Sequence, residues 1–121
     1  MTGNEVRELV RGKLFTLCQS VYYVLADKDA MFPHLVFNLS RFAKYDIARD
    51  DVTLDVEVFT KDEKEAQDLA DAIESMFNDL NDPQNDFLPT FYTERIQNVV
   101  ESDKSIRHKS VEITIQNYER R

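Results

Sequence analysis

Between Val52 and Leu80 the apolar residues change their spacing, and that change limits what this chain can become. Val52, Leu54, Val56 and Val58 alternate with Thr53, Asp55 and Glu57, the period of a strand with one buried and one wet face. From Ala66 the spacing lengthens. Ala66, Leu69, Ala70, Ile73, Met76, Phe77 and Leu80 then form one stripe at helical period. Only Phe59 to Glu65 separate the two patterns, so a half-buried strand must run almost directly into an amphipathic helix. Thr60-Lys61-Asp62-Glu63 has the Thr-x-x-Glu form of a capping box, which predicts Thr60 as the N-cap. Asp62, Glu63 and Glu65 stand where the helix dipole favours negative charge. Burying the large members of the stripe contributes on the order of 10 kcal/mol before chain entropy is set against it. On this pattern Leu69 is core, and Leu69→Asp is expected to prevent folding.

The same reading extends to both ends. Val6, Leu9, Val10, Leu14 and Leu17 predict a helix from Asn4 to about Gln19, capped by Thr2 or Asn4. Val21-Tyr22-Tyr23-Val24 predicts a short extended segment, and Asp27-Lys28-Asp29 a turn. Phe32-Pro33-His34 opens a strand in which Leu35, Phe37 and Leu39 share a face. The residues from Asn81 to Asp86 are turn formers. Phe91 to Val100 predicts a strand with Tyr92, Ile96 and Val100 on one side, and Val111, Ile113 and Ile115 mark the last strand. Consecutive strands with short links pair antiparallel, and each helix must bury its stripe. The expected fold is α+β: a mostly antiparallel sheet of four to five strands with two helices packed on one face. At 121 residues it is expected to be a single domain, 1–121.

Motifs for chemistry are scarce. Two glycines cannot build a glycine-rich phosphate loop. His34 and His108 are the only histidines, and neither has a second ligand at helical or hairpin spacing, so no metal or other cofactor is expected. His34 is read as packing at a strand start and His108 as exposed. Cys18 stands near a helix C-terminus, where the dipole disfavours a thiolate, and is read as buried and structural. Asp55 and Glu57 share a strand face at a spacing that a paired-carboxylate site uses, but any half-exposed strand shows the same alternation. Asp79, Asn81, Asp82 and Asp86 lack the glycine and terminal glutamate of a calcium loop. No enzyme is expected.

Charge is more informative. The chain carries a net −8, which disfavours nonspecific nucleic-acid binding. Residues 46–86 hold 14 acids and three bases, and the remainder nine acids and 12 bases. Such asymmetry suits a subunit whose one face meets a different face of its neighbour. The charge placement nominates Arg41, Lys44 and Arg49 to face Asp62, Glu65 and Asp68 across such a contact. The segment from Met1 to Gly12 lacks the apolar run of a signal peptide, and the longest apolar stretch, Ser20 to Ala26, is far short of the ~20 residues that span a bilayer. A soluble, unexported protein with no membrane contact is expected.

Four features together resemble the tail terminator (tail completion) proteins of long-tailed bacteriophages. They are the N-terminal amphipathic helix with Val21-Tyr22-Tyr23-Val24, the Phe-Pro-x-Leu-Val-Phe opening at Phe32 to Phe37, the strand from Val52 to Phe59 running into the acidic helix, and the closing strand pair from Phe91 to Tyr118. The resemblance implies a virion component, assembled in the bacterial host cytoplasm. It further implies a ring of identical subunits, commonly six, that caps the tail tube and joins it to the head connector. DNA would pass through the ring without specific binding, and Asp50, Asp51, Asp55 and Glu57 are expected to line the lumen and repel phosphate. Two other readings stay open: another phage neck or head-completion protein, and a small dimeric α+β binding or regulatory module.

Overall fold

In a computed structural model the described residues are 2–41, 49–81 and 89–118, with backbone alone described for Arg41, Arg49, Asp50, Asn117 and Tyr118. Helix α1 spans Gly3–Phe15, strand β1 Val21–Tyr23, β2 His34–Arg41, β3 Arg49–Thr60, helix α2 Glu63–Asp79, β4 Thr90–Val99 and β5 Arg107–Tyr118. The strands form one sheet in the order β1-β2-β3-β5-β4. Both helices pack on one face, as the α+β pattern predicts. Leu35, Phe37, Leu54, Val56, Val58, Phe91, Val111, Ile113 and Ile115 of the sheet form a single core with Val6, Val10 and Leu14 of α1 and Ala70, Ile73 and Phe77 of α2.

The pairing departs from expectation at one border. β2, β3, β5 and β4 pair antiparallel, but β1 pairs parallel to β2. The chain from Val24 to Pro33 is long enough to carry it back along the sheet before β2 begins. The first helix is also shorter than its apolar pattern. Thr16 closes it, its hydroxyl donating to the Lys13 carbonyl at 2.6 Å, and the Leu17 and Cys18 amides both turn back to the Leu14 carbonyl. Its start is a true capping box between Thr2 and Glu5. Cys18 is buried, with its thiol 3.4 Å from the Pro33 carbonyl.

Thr60 is not the N-cap of α2. It is the last residue of β3, fully buried and paired with Arg107, so its backbone belongs to the sheet. Its hydroxyl accepts from the Asp62 amide at 3.3 Å and donates to the Asp62 carbonyl at 2.7 Å, which holds Asp62 extended. Asp62 is the cap: its carboxylate accepts from the Glu65 amide at 3.1 Å. Leu69 is half-buried where the stripe predicted core, and Ala66, Ala70, Ile73 and Phe77 take the buried positions.

Strand β4 corrects the reading of its faces. Phe91 is buried against Phe77, with ring centroids 5.3 Å apart, and Tyr92 is 48 % exposed. A register shift between Thr93 and Arg95 inserts one residue, so that Ile96 packs on the core although it has the parity of Tyr92. Val100 lies past the strand and is exposed. Asn81, just beyond α2, fixes the start of β4. Its amide donates to the Phe91 carbonyl at 2.6 Å and its carbonyl accepts from the Phe91 amide at 2.8 Å.

Candidate functional site

The three acids nominated on α2 lie together. Asp62, Glu65 and Asp68, with Lys64, wall a shallow groove of about 430 Å³ whose floor is Leu17, Leu69 and Ala72. Lys64 is tied to Asp68 at 2.8 Å, and both are well exposed. An open apolar floor under several carboxylates matches the two halves of a long basic side chain, an aliphatic stem and a cationic head. Lys44 lies outside the described residues, and Arg41 and Arg49 are described only as the end of β2 and the start of β3.

The helix-free face of the sheet gathers a second acidic set. Asp51, Asp55 and Glu57 follow one another on that face of β3, and Asp50 is described by its backbone alone. Asp55 sits directly opposite Glu112 of β5, and like charges so placed repel. Arg95 of β4 reaches Glu112 at 3.1 Å. Burial raises the Asp55 pKa, and the charges of Glu112 and Glu57 raise it further against the weaker pull of Arg95.

One row of this face is aromatic. His34 of β2 stacks on Phe59 of β3 with centroids 4.9 Å apart, and Phe59 stacks on His108 of β5 at 4.2 Å. Phe32 and Tyr22 close around His34. His34 packs at a strand start, as expected, and burial lowers its pKa against a hydrogen bond with the Met31 backbone. His108 was expected to be exposed, but its side chain is only 10 % exposed. Its Nε2 lies 2.6 Å from Glu57 and its Nδ1 2.7 Å from Glu101. Burial pulls its pKa down, but the hydrogen bonds and charges of Glu57 and Glu101 outweigh it, and the net shift is upward.

Lys109, beside it, points to the other face. It stands opposite Val58, is almost fully buried, and meets Glu63 of α2 at 2.9 Å and the Asn98 side chain. Between these groups a cavity of about 200 Å³ is lined by Glu63, Asn98, Glu101, Lys104, Arg107 and His108. Sequence reasoning missed this cluster. Glu57 and His108 are 51 residues apart, and only the β3–β5 register makes them neighbours.

The chemistry available is limited. Both His108 nitrogens are engaged by carboxylates, which leaves no lone pair to act as a base. Ser110 donates to Glu57 at 3.1 Å, so the hydroxyl is held by the carboxylate and not by the imidazole. Among the described residues no three His, Cys, Asp or Glu side chains are placed to hold a metal ion, and no helix is long and apolar enough to cross a membrane.

No protein-family model matches the chain, and no curated protein matches it. Among solved structures, a chain from the virion of a native gene transfer agent particle is similar. The two align with a TM-score of 0.62 at 10% sequence identity, over 91% of this chain and 92% of that one. At this identity the likeness is one of fold, and it runs over nearly all of both chains.

Proposed function

We propose that this chain is a phage-type structural virion protein. In this reading it assembles head to tail into a closed ring, of six subunits, that caps the tail tube and joins it to the head connector. The observation that carries the reading is the fold shared with a gene transfer agent virion chain over nine-tenths of both chains. The residues agree with a geometric rather than a chemical role. The carboxylates of the helix-free face repel one another, and the nearly buried His108 is locked on both nitrogens.

A closed ring needs two unlike surfaces on each subunit. The groove walled by Asp62, Glu65 and Asp68 supplies one, receiving a basic side chain from a neighbour, with Arg41, Lys44 and Arg49 as candidates. The acidic sheet face, with Asp51, Asp55 and Glu57, is the surface suited to the lumen, because carboxylates repel phosphate and let DNA slide without specific binding. Asp50 contributes from the strand end. Assembly takes place in the host cytoplasm, and the partners are further copies, the tail tube protein and the connector.

Solution mass by light scattering, over a range of concentration and salt and with purified tail tubes added, tests this reading. A hexamer-sized particle, alone or on tube ends, supports it. A tight dimer that ignores tubes and connectors overturns it in favour of a dimeric binding module. Binding to connectors alone reassigns the protein to head completion.

A further inference from the structure

Among the described residues, no strand covers one edge of β2 over half its length. β1 has three residues and covers Leu35 to Phe37, while β2 runs on to Arg41. The Leu35 amide donates to the Ser20 carbonyl at 2.9 Å, and the Phe37 carbonyl accepts from the Val24 amide at 2.9 Å. Backbone groups alternate between the two edges of a strand, so Leu39 and Arg41 present theirs on that same edge. Among the described residues no backbone group meets them there. What ends β1 is a γ-turn. The Leu25 amide donates to the Tyr23 carbonyl at 2.8 Å around Val24, whose φ is 71°. A β-branched residue pays heavily for that conformation, which turns the chain out of the sheet and leaves Leu25 80 % exposed beside the open edge.

We propose that the open edge of β2 from Asn38 to Arg41 is a docking slot for a second copy of this chain, filled by the outer edge of that copy's β4. This deepens, and rests on, the ring reading. β4 is the opposite border of the sheet, and among the described residues no strand pairs with its outer side. Pairing senses fix its direction: β3 runs against β2, β5 against β3 and β4 against β5, so β4 runs opposite to β2. Copies repeated head to tail with their sheets in one sense therefore bring β4 to β2 antiparallel. The Asn81 amide already holds the Phe91 backbone at the start of β4, but beyond the bulge between Thr93 and Arg95 the regular run from Ile96 to Val99 equals the open stretch of β2 in length. Tyr92 and Val100 add exposed apolar surface on the β4 border, as Val24 and Leu25 do on the other. Adding a strand to an open edge is a recurrent mode of recognition, and its affinity comes from main-chain hydrogen bonds.

Hydrogen–deuterium exchange of the full chain, below and above its assembly concentration, tests the proposal. Assembly is expected to slow exchange by about tenfold or more in peptides covering both Asn38–Arg41 and β4. Arg41→Pro removes an outward N–H without breaking a bond to β3, and Arg41→Ala keeps it. With both variants folded by circular dichroism, Arg41→Pro is expected to lose the assembled mass and Arg41→Ala to lose much less. Assembly without protection of either segment, or protection of Asn38–Arg41 but not β4, overturns the slot and leaves the ring reading standing. Absence of any assembly, tail tubes included, overturns both.

Discussion

The Nε2 atom of His108 lies 2.6 Å from the Glu57 carboxylate, across the β3–β5 pair, on the helix-free face of the sheet. With Glu101 on its other nitrogen, His108 is held between two carboxylates in a nearly buried row of rings. The contact ties the middle of β3 to the strand that follows the β4–β5 loop.

Stability is therefore expected to peak near pH 6.5, the ordinary pKa of both histidines. His108 binds its proton more tightly in the folded chain, so its contribution is complete below 6.5 and is lost as pH rises through its raised pKa. His34 has the opposite sign. Burial lowers its pKa, so stability is lost as pH falls from 6.5 towards that lowered value. Melting temperature against pH should be dome-shaped in this range. His108→Gln should flatten the alkaline side and His34→Phe the acid side, while a pH-independent melt for the wild type would refute both assignments.

Asn81 serves the backbone of Phe91 with both ends of its amide, in place of a neighbouring strand. Asn81→Asp keeps the size but replaces the donor with a second acceptor, facing the Phe91 carbonyl. A loss of about 2 kcal/mol in urea unfolding is expected, the cost of a part-buried carbonyl left without its donor.

Val24 is the one non-glycine residue with positive φ among the described residues, and its side chain is more than half exposed. Val24→Gly removes the strain and loses little burial. The left-handed conformation costs roughly 1–2 kcal/mol for a residue with a Cβ, and glycine returns part of that through the entropy of the unfolded chain. A net gain of about 0.5 kcal/mol in denaturant melts is expected.

Much of this architecture was legible in the residues. The alternation from Val52 to Val58 and the stripe from Ala66 to Phe77 are local patterns, and a buried face imposes them directly. Three features were not. The capping of α2 passed from Thr60 to Asp62 because a tertiary pairing, Thr60 with Arg107, kept the strand going. The faces of β4 were misread because a bulge erases the parity on which the reading depends. The His108 clamp is a register effect, set by which strand lies beside β3, and β5 rather than β4 takes that place. For the groove the balance is reversed. Asp62, Glu65 and Asp68 follow one another at helical spacing, so their grouping was visible, but the half-exposed floor at Leu69 was not.

That floor and the cap together decide how the groove should be tested. Asp62→Lys would remove an N-cap as well as a charge, at about 1 kcal/mol, and a loss of assembly would then be ambiguous. Asp62→Asn keeps a carbonyl oxygen able to accept from the Glu65 amide and removes only the charge. Glu65→Lys and Asp68→Lys change exposed residues, although the second also releases Lys64. The triple variant Asp62→Asn, Glu65→Lys, Asp68→Lys is expected to fold with nearly unchanged melting and to raise the assembly concentration at least several-fold. If a basic side chain fills the groove, moderate salt should weaken wild-type assembly by screening the exposed carboxylates, and the variant should lose that dependence. Leu69→Asp then separates floor from wall. It should fold, unlike Ile73→Asp, because Leu69 is only half-buried and Ile73 is fully enclosed, and it should weaken assembly because the aliphatic stem loses its apolar contact. Sedimentation of the three proteins at matched concentration reads all of these, and assembly of the triple variant at the wild-type concentration would remove the groove from the contact.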